Sequence, residues 1–213
     1  MNRTIWRRVA AILWLAAEAH VSLAQQTKIG SAAAVSKGDP VKRLAPSEVP
    51  GLPGEFVEKL NARGCTIPQF DVASSLPAAS SGTSEVAVFA PTNVIHGEFA
   101  RAGQEDWAVL CSNGKSSTIV IFWGRETACP GSLARLEDAH YLTAANGKGK
   151  SLHYSRAIRA LGENDLSERT GMSALRPLAH QGIDDRFVGK SSSFFYCNEG
   201  KWRIFPAKDS AGQ

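Results

Sequence analysis

Apolar and polar positions alternate with a period of two through the middle of this chain, the spacing of strands whose side chains point up and down in turn. "EVAVFA", "NVIHGEFA", "DWAVLC" and "STIVIFW" are four such segments between Glu85 and Trp123. The last two flank Asn113-Gly114, a two-residue hairpin signal, because both central positions of a type I′ turn need positive φ. That turn sets Ser112 opposite Lys115, Val109 opposite Thr118 and Trp107 opposite Val120. Trp107, Val109 and Cys111 then share one face; Asp106, Ala108 and Leu110 share the other, opposite Ile121, Ile119 and Ser117. Apolar side chains on both faces predict an internal strand pair covered on both sides. A second hairpin is predicted at "SSFFYC", Asn198-Glu199-Gly200, "KWRIF", with Gly200 at the left-handed position of a three-residue loop. Phe194 and Tyr196 would there share a face with Trp202 and Ile204.

Helical spacing is sparser. Phe56, Val57 and Leu60 fall on one helical face and Gly64 supplies a stop just before Cys65. Ser132 to Ala139 and Glu163 to Thr170 are predicted as short helices, the second capped by Gly171. "TAANGKGKSL" is a polar turn or a loosely formed hairpin, and residues 72–84 are a loop. These elements predict an α+β domain: an antiparallel sheet built from hairpins, a few short helices, and disulfide staples. Residues 47–206 form this single domain, between an aperiodic, disordered linker over 25–46 and a disordered tail over 207–213.

The N-terminus changes the compartment. Arg3, Arg7 and Arg8 precede the apolar run Val9 to Ala17, and Ser22-Leu23-Ala24 places small residues at −3 and −1 before Gln25. Basic head, short apolar middle and small-x-small exit are the parts of a secretory signal peptide over 1–24. A membrane anchor needs about 20 apolar residues, and Glu18 and His20 interrupt this run first. No later segment is apolar enough to span a bilayer, and no Cys stands at the cleavage position for a lipid. Three Arg and Glu18 leave with the peptide, so the formal charge of +4 falls to +2, with Lys and Arg scattered among acids. Nucleic acid is therefore not the expected partner. The expected location is periplasmic or extracellular.

Four cysteines in an exported chain read as two disulfides, with free buried thiols as the alternative. No pair has C-x-x-C spacing. Cys111 lies beside the Asn113-Gly114 turn. From Ser116 the chain runs away for about seven residues at roughly 3.3 Å each, and Cys129 follows too soon after for the chain to return. That disfavours Cys111–Cys129. Of the two remaining connectivities, Cys65–Cys111 with Cys129–Cys197 is preferred.

Gly97-Glu98-Phe99, Gly103 and Asp106-Trp107-Ala108-Val109 resemble one degenerate FG-GAP repeat of integrin-like β-propellers, over 97–109. The family pattern is Gly-Asp-Phe-Asn-Gly-Asp-Gly-x-x-Asp-apolar-Ala-Val. The resemblance implies a strand–loop–strand unit whose side-chain oxygens wrap calcium, with Glu98 and Asp106 at acidic ligand positions. Ala100 and Ala102 occupy the central ligand positions without side-chain oxygen, and Arg101 adds positive charge. Calcium takes 6–8 oxygens, so a retained loop without its ion is expected, with Asp106 capping loop amides. A propeller needs several blades, and the chain holds one copy. More widely, "CTIPQ", "NVIHGEFARAGQEDWAVLCS" and "HQGIDDRFVGKSSSFFYCNEGKW" resemble a group of uncharacterised secreted bacterial proteins, which implies export and a shared fold and no chemistry.

The best polar cluster is His180, Asp184 and Asp185. A His with two carboxylates can ligate a metal or run acid–base chemistry. The same residues also suit a turn at Gln181-Gly182 with a carboxylate cap. No H-E-x-x-H or G-x-S-x-G pattern accompanies them. Gly189-Lys190-Ser191 carries Asp184 where a phosphate loop needs its first Gly. His96 in a strand and His153 beside Tyr154 read as structural residues. The sequence thus points to an exported, non-enzymatic binding or structural module of the cell envelope that needs no cofactor. The alternatives are a hydrolase or metal-dependent enzyme using His180, Asp184 and Asp185, and a calcium-stabilised module.

Overall fold

The structure, a computed structural model, describes residues 41–70, 93–126, 128–144, 152–163 and 177–208. Its strands are β1 (Arg43–Leu44), β2 (Ile67–Pro68), β3 (Val94–Gly97), β4 (Asp106–Ser112), β5 (Ser116–Phe122) and β6 (Ser132–Glu137). They continue as β7 (Leu142–Ala144), β8 (Leu152–Tyr154), β9 (Arg156–Leu161), β10 (Gly182–Phe187), β11 (Ser191–Asn198) and β12 (Lys201–Lys208). Helix α1 spans Gly54–Ala62, and short 3-10 turns cover Pro46–Glu48 and Asp138–Tyr141. The signal-peptide segment, "EVAVFA" and nearly all of the helix expected over Glu163–Thr170 lie outside the described residues.

Two four-stranded antiparallel sheets, β3-β4-β5-β6 and β12-β11-β10-β9, face each other as a sandwich. The period-two pattern decides which side chains meet between them. Ala108, Leu110, Ile119 and Ile121 come from the first sheet, and Ile158, Ile183 and Phe195 from the second. On the outer face of the first sheet, Val109, Cys111, Val120 and Phe122 pack against Phe56 and Leu60 of α1. Phe56 stacks on Phe122 at 4.4 Å. β4 and β5 are thus internal and covered on both sides, as their pattern predicts. The expected α+β mixture takes the form of mostly antiparallel strands with a thin helical layer on one side.

Helix α1 stops where Gly64 takes φ +64°, with Gly64 N–H donating to Asn61 O (2.9 Å) and Cys65 N–H to Leu60 O (3.1 Å). Only a residue without Cβ adopts that backbone cheaply. The turn delivers Cys65 to Cys111 on β4, to which it is disulfide-bonded; Cys129 is bonded to Cys197 on β11. This is the preferred one of the two connectivities that the hairpin geometry leaves open. Each bond joins two layers: helix to first sheet, and first sheet to second.

Asn93 closes one side of the sandwich. It is buried, with φ +72°. Its backbone carbonyl accepts from Leu110 N–H (2.9 Å) in the first sheet. Its side chain donates to Pro68 O (2.6 Å) on β2, and in the second sheet it donates to Arg156 O (3.1 Å) and accepts from Ile158 N–H (3.0 Å).

Several expectations need correction. Ser132–Glu137 is the edge strand β6, not a helix. Residues 41–46, placed in the disordered linker, are ordered: Val41 is buried and β1 pairs with β2. In the first hairpin Ser112 pairs with Ser117, Val109 with Val120 and Trp107 with Phe122. Asn113 Oδ1 accepts from Lys115 N–H (3.0 Å) and Ser116 N–H (2.9 Å), which lengthens the loop by two residues and preserves both faces. In the second, Glu199 and Gly200 both have positive φ and form a two-residue turn, so Phe194 pairs with Phe205 and Cys197 with Trp202. Phe194 and Tyr196 therefore face away from Trp202 and Ile204, since a one-residue slip exchanges faces. β7 and β8 form the hairpin expected as one option around "TAANGKGKSL".

Candidate functional site

The loop between β3 and β4 is organised by one carboxylate. Asp106 is fully buried; its Oδ2 accepts from Phe99 N–H (3.1 Å) and Ala100 N–H (2.9 Å). Its Oδ1 accepts from Gln104 Nε2 (2.8 Å) and Gly124 N–H (2.9 Å). Both oxygens thus face N–H donors, whose partial positive charge is the opposite of what a cation's neighbour presents. Glu98 meets Gln181 through its backbone: its N–H donates to Gln181 Oε1 (3.0 Å), and its carbonyl accepts from Gln181 N–H (3.0 Å). Gly97 lies under this contact, where a Cβ would overlap Gln181 Oε1 and the Phe99 ring. Among the described residues, no group of three His, Cys, Asp or Glu side chains is placed to hold a metal ion.

His180, Asp184 and Asp185 do not meet at one point. Asp184 and Asp185 are neighbours on β10, so they leave it on opposite faces. Asp184 lies on the outer face beside Phe194, and its Oδ2 accepts from Arg159 Nε (2.9 Å). Asp185 points into the sandwich, where Arg156 clamps it bidentately, Nε to Oδ1 at 2.9 Å and Nη2 to Oδ2 at 2.8 Å. The His180 ring stacks on Tyr196 at 4.3 Å, and its Nδ1 lies 2.8 Å from Gln181 O. Gly189-Lys190 forms the turn between β10 and β11, with Lys190 Nζ 4.1 Å from the Phe187 ring centroid.

Among the described residues, Arg156 on β9 is the largest fully buried side chain. Besides Asp185 it donates to Ala134 O (2.6 Å), Ser117 O (3.1 Å) and Ser117 Oγ (2.8 Å). Ser117 Oγ lies 2.9 Å from the Tyr154 hydroxyl, which donates to Asp138 Oδ1 (3.2 Å). Asp138 Oδ2 accepts from Ser112 Oγ (2.5 Å), and Ser112 Oγ in turn accepts from Arg43 Nη1 (2.7 Å). Arg156 has only protons to give, so donation runs from Arg156 through Ser117 and Tyr154 to Asp138. Seven side chains from β1, β4, β5, β8, β9, β10 and the Asp138 turn are linked in this way.

Low polarity around the network fixes its protonation. Burial, then the Asp138 charge, pushes the Tyr154 phenol well above its ordinary value. Burial pushes Tyr141 up to about 12, against the opposing pull of Arg156, whose guanidinium sits 5.0 Å from the ring. For Arg156 itself burial disfavours the charge, but the hydrogen bonds and charge of Asp185 outweigh it and the net shift is upward. Both phenols stay protonated and Arg156 stays charged at neutral pH.

A second polar group lies on β7 and β8. Thr143 Oγ1 is 2.7 Å from His153 Nε2 and also contacts Ser155 Oγ. His153 is buried.

Beside the Arg43–Asp138 end of the network is a cleft of about 670 Å³. Val41, Leu136, Ala139 and Leu142 supply its apolar wall, and Arg43, Lys115, Arg135, Glu137 and Asp138 its charges. The sequence signal for the network was a charge within an apolar strand: Arg156 shares the inward face with Ile158. The cleft had no such signal, because its residues come from three separate stretches of chain.

The chain matches no known family, no curated protein and no solved structure.

Proposed function

We propose that this chain is an exported, non-enzymatic module of the cell envelope or exterior that binds or supports rather than transforms. The observation that carries the reading is the use of its buried charges. Asp106, Asp138, Asp184 and Asp185 are each engaged by donors from the chain itself, and the triplet an enzyme would need is divided between two faces of a sheet. Buried charges held by fixed partners act as structural elements. Two layer-joining disulfides suit an oxidising compartment, and among the described residues no helix is long and apolar enough to cross a membrane. The FG-GAP-like stretch enters this reading as a loop architecture that Asp106 now organises through amides.

A bacterial host expressing the full chain tests both halves. The mature protein is expected in the periplasm or medium, beginning at Gln25, and inactive toward ester, amide and phosphoester substrates. Hydrolysis abolished by His180→Ala would overturn the reading. The enzymatic alternative has one contact in its favour, the Thr143 hydroxyl against His153 Nε2, the pairing of an activated nucleophile. Hydrolysis lost in His153→Ala and in Thr143→Val would establish that alternative instead.

A further inference from the structure

The cleft beside Asp138 gathers cationic and apolar side chains around one space. Its volume of about 670 Å³ is in the ordinary range for small-molecule sites. The charges on its lining are unequal. Arg43 and Asp138 pair with each other at 3.4 Å and are almost wholly buried, so they form a neutral floor. Glu137 lies 3.8 Å from His140 Nε2. Lys115 and Arg135 have no acidic partner among the described residues, although both line the cleft. Leu136, between Arg135 and Glu137, is 39% exposed, one of the large apolar side chains the fold leaves in solvent.

We propose that this cleft binds a small amphiphilic carboxylate, with Lys115 and Arg135 taking the carboxylate and Leu136, Leu142 and Val41 taking the apolar body. This deepens the binding reading above and rests on it. Arg prefers a planar, two-oxygen partner and Lys adds a mobile point charge, so a carboxylate suits the pair. An exposed leucine beside two cations that have no acidic partner among the described residues favours a ligand with an apolar part over a bare ion. The rigid support is the network behind the wall: Asp138 is held by Ser112, Tyr154 and Arg43, which fixes the turn that forms one side of the cleft.

The probe is octanoate, followed by amide chemical shifts and calorimetry on the mature chain, with octanol and inorganic phosphate as controls. Saturable octanoate binding is expected, with the largest shifts at Lys115, Leu136 and Asp138. Octanol and phosphate should each bind at least tenfold more weakly. Lys115→Gln with Arg135→Gln should weaken octanoate at least tenfold and leave the melting temperature unchanged, since both side chains are exposed. Leu136→Ser should weaken octanoate but not phosphate. No saturable octanoate binding, binding indifferent to the double substitution, or phosphate binding as tight as octanoate would each overturn the proposal. Those failures leave the non-enzymatic reading intact, because only turnover lost with His180→Ala, or with His153→Ala and Thr143→Val, removes it.

Discussion

Asp106 and Arg156 show how single side chains set local order here. Asp106→Asn would turn an amide N–H₂ toward donors that now meet oxygen, leaving at least one of Phe99 N–H, Ala100 N–H and Gly124 N–H without an acceptor. A loss of about 3 kcal/mol in urea unfolding is expected, the cost of breaking charge-assisted hydrogen bonds to a buried group. Because those bonds go to amides, the wild-type melting temperature should be the same in chelator and in millimolar calcium. A melting point that rises with calcium would contradict this account of the loop. Arg156→Met strands Asp185 as a buried charge and should cost about 3–5 kcal/mol. Adding Asp185→Leu should recover most of that loss, because an apolar pair replaces an ion pair better than half a pair does. A double variant no more stable than Arg156→Met would show that the remaining contacts of Arg156, to Ser117 and Ala134, carry the stability.

At the scale of elements, the hairpin strands β4, β5, β11 and β12 were legible and their registers less so, whereas β6 was read as a helix, β9 was not read, and β10 replaces the turn expected at Gln181-Gly182. Both hairpins announce themselves by turn residues between alternating segments, yet loop length is set by side-chain and backbone detail. The first loop is longer by two residues, which leaves faces unchanged; the second differs by one, which exchanges them. The error over Ser132–Glu137 has a more specific cause. β6 carries an irregularity opposite Ser117–Ile119, with Ala134 at φ +51°. The extra residue brings Leu133 and Leu136 to register with Ile119 and Ser117, on the same face. Apolar residues three apart are also what a helix shows, so a bulged strand and a helix leave the same trace. The network was not read from the sequence: Arg156 within the apolar strand β9 was a signal for it, but its partners are brought together only by the packing of two sheets. The second hairpin offers a test. Glu199 holds φ +51°, unfavourable for a side chain with a Cβ. Glu199→Gly should stabilise the protein by about 0.5–1 kcal/mol, measured by urea midpoint at unchanged slope. A destabilised variant would mean that the Glu199 side chain makes a contact worth more than the backbone strain.

For the molecule as a whole, the buried phenols tie stability to alkaline pH. Tyr141 has its folded value raised to about 12 from the ordinary 10.0, with Tyr154 raised too. Below pH 10 the phenols are protonated folded or unfolded, and their contribution is fully present. Above it the unfolded chain releases protons that the folded chain keeps, so stability falls as pH rises from 10 through 12. Each such phenol contributes a slope of about 1.4 kcal/mol per pH unit in that window. Urea midpoints should therefore decline between pH 10 and 12, and less steeply for Tyr141→Phe than for wild type. Identical slopes would show that Tyr141 ionises as freely in the fold as out of it.

The seam at Asn93 gives the sandwich a bound spine along β3 and β9, while Cys129–Cys197 acts as a clasp from the first sheet to β11. A reductant undoes the clasp and leaves the spine sewn. The two leaves would then stay shut, pinned through Arg156 to Ser117 and Ala134, with the margin at β11 and β12 held by core packing and the Trp202 Nε1–Pro130 O hydrogen bond.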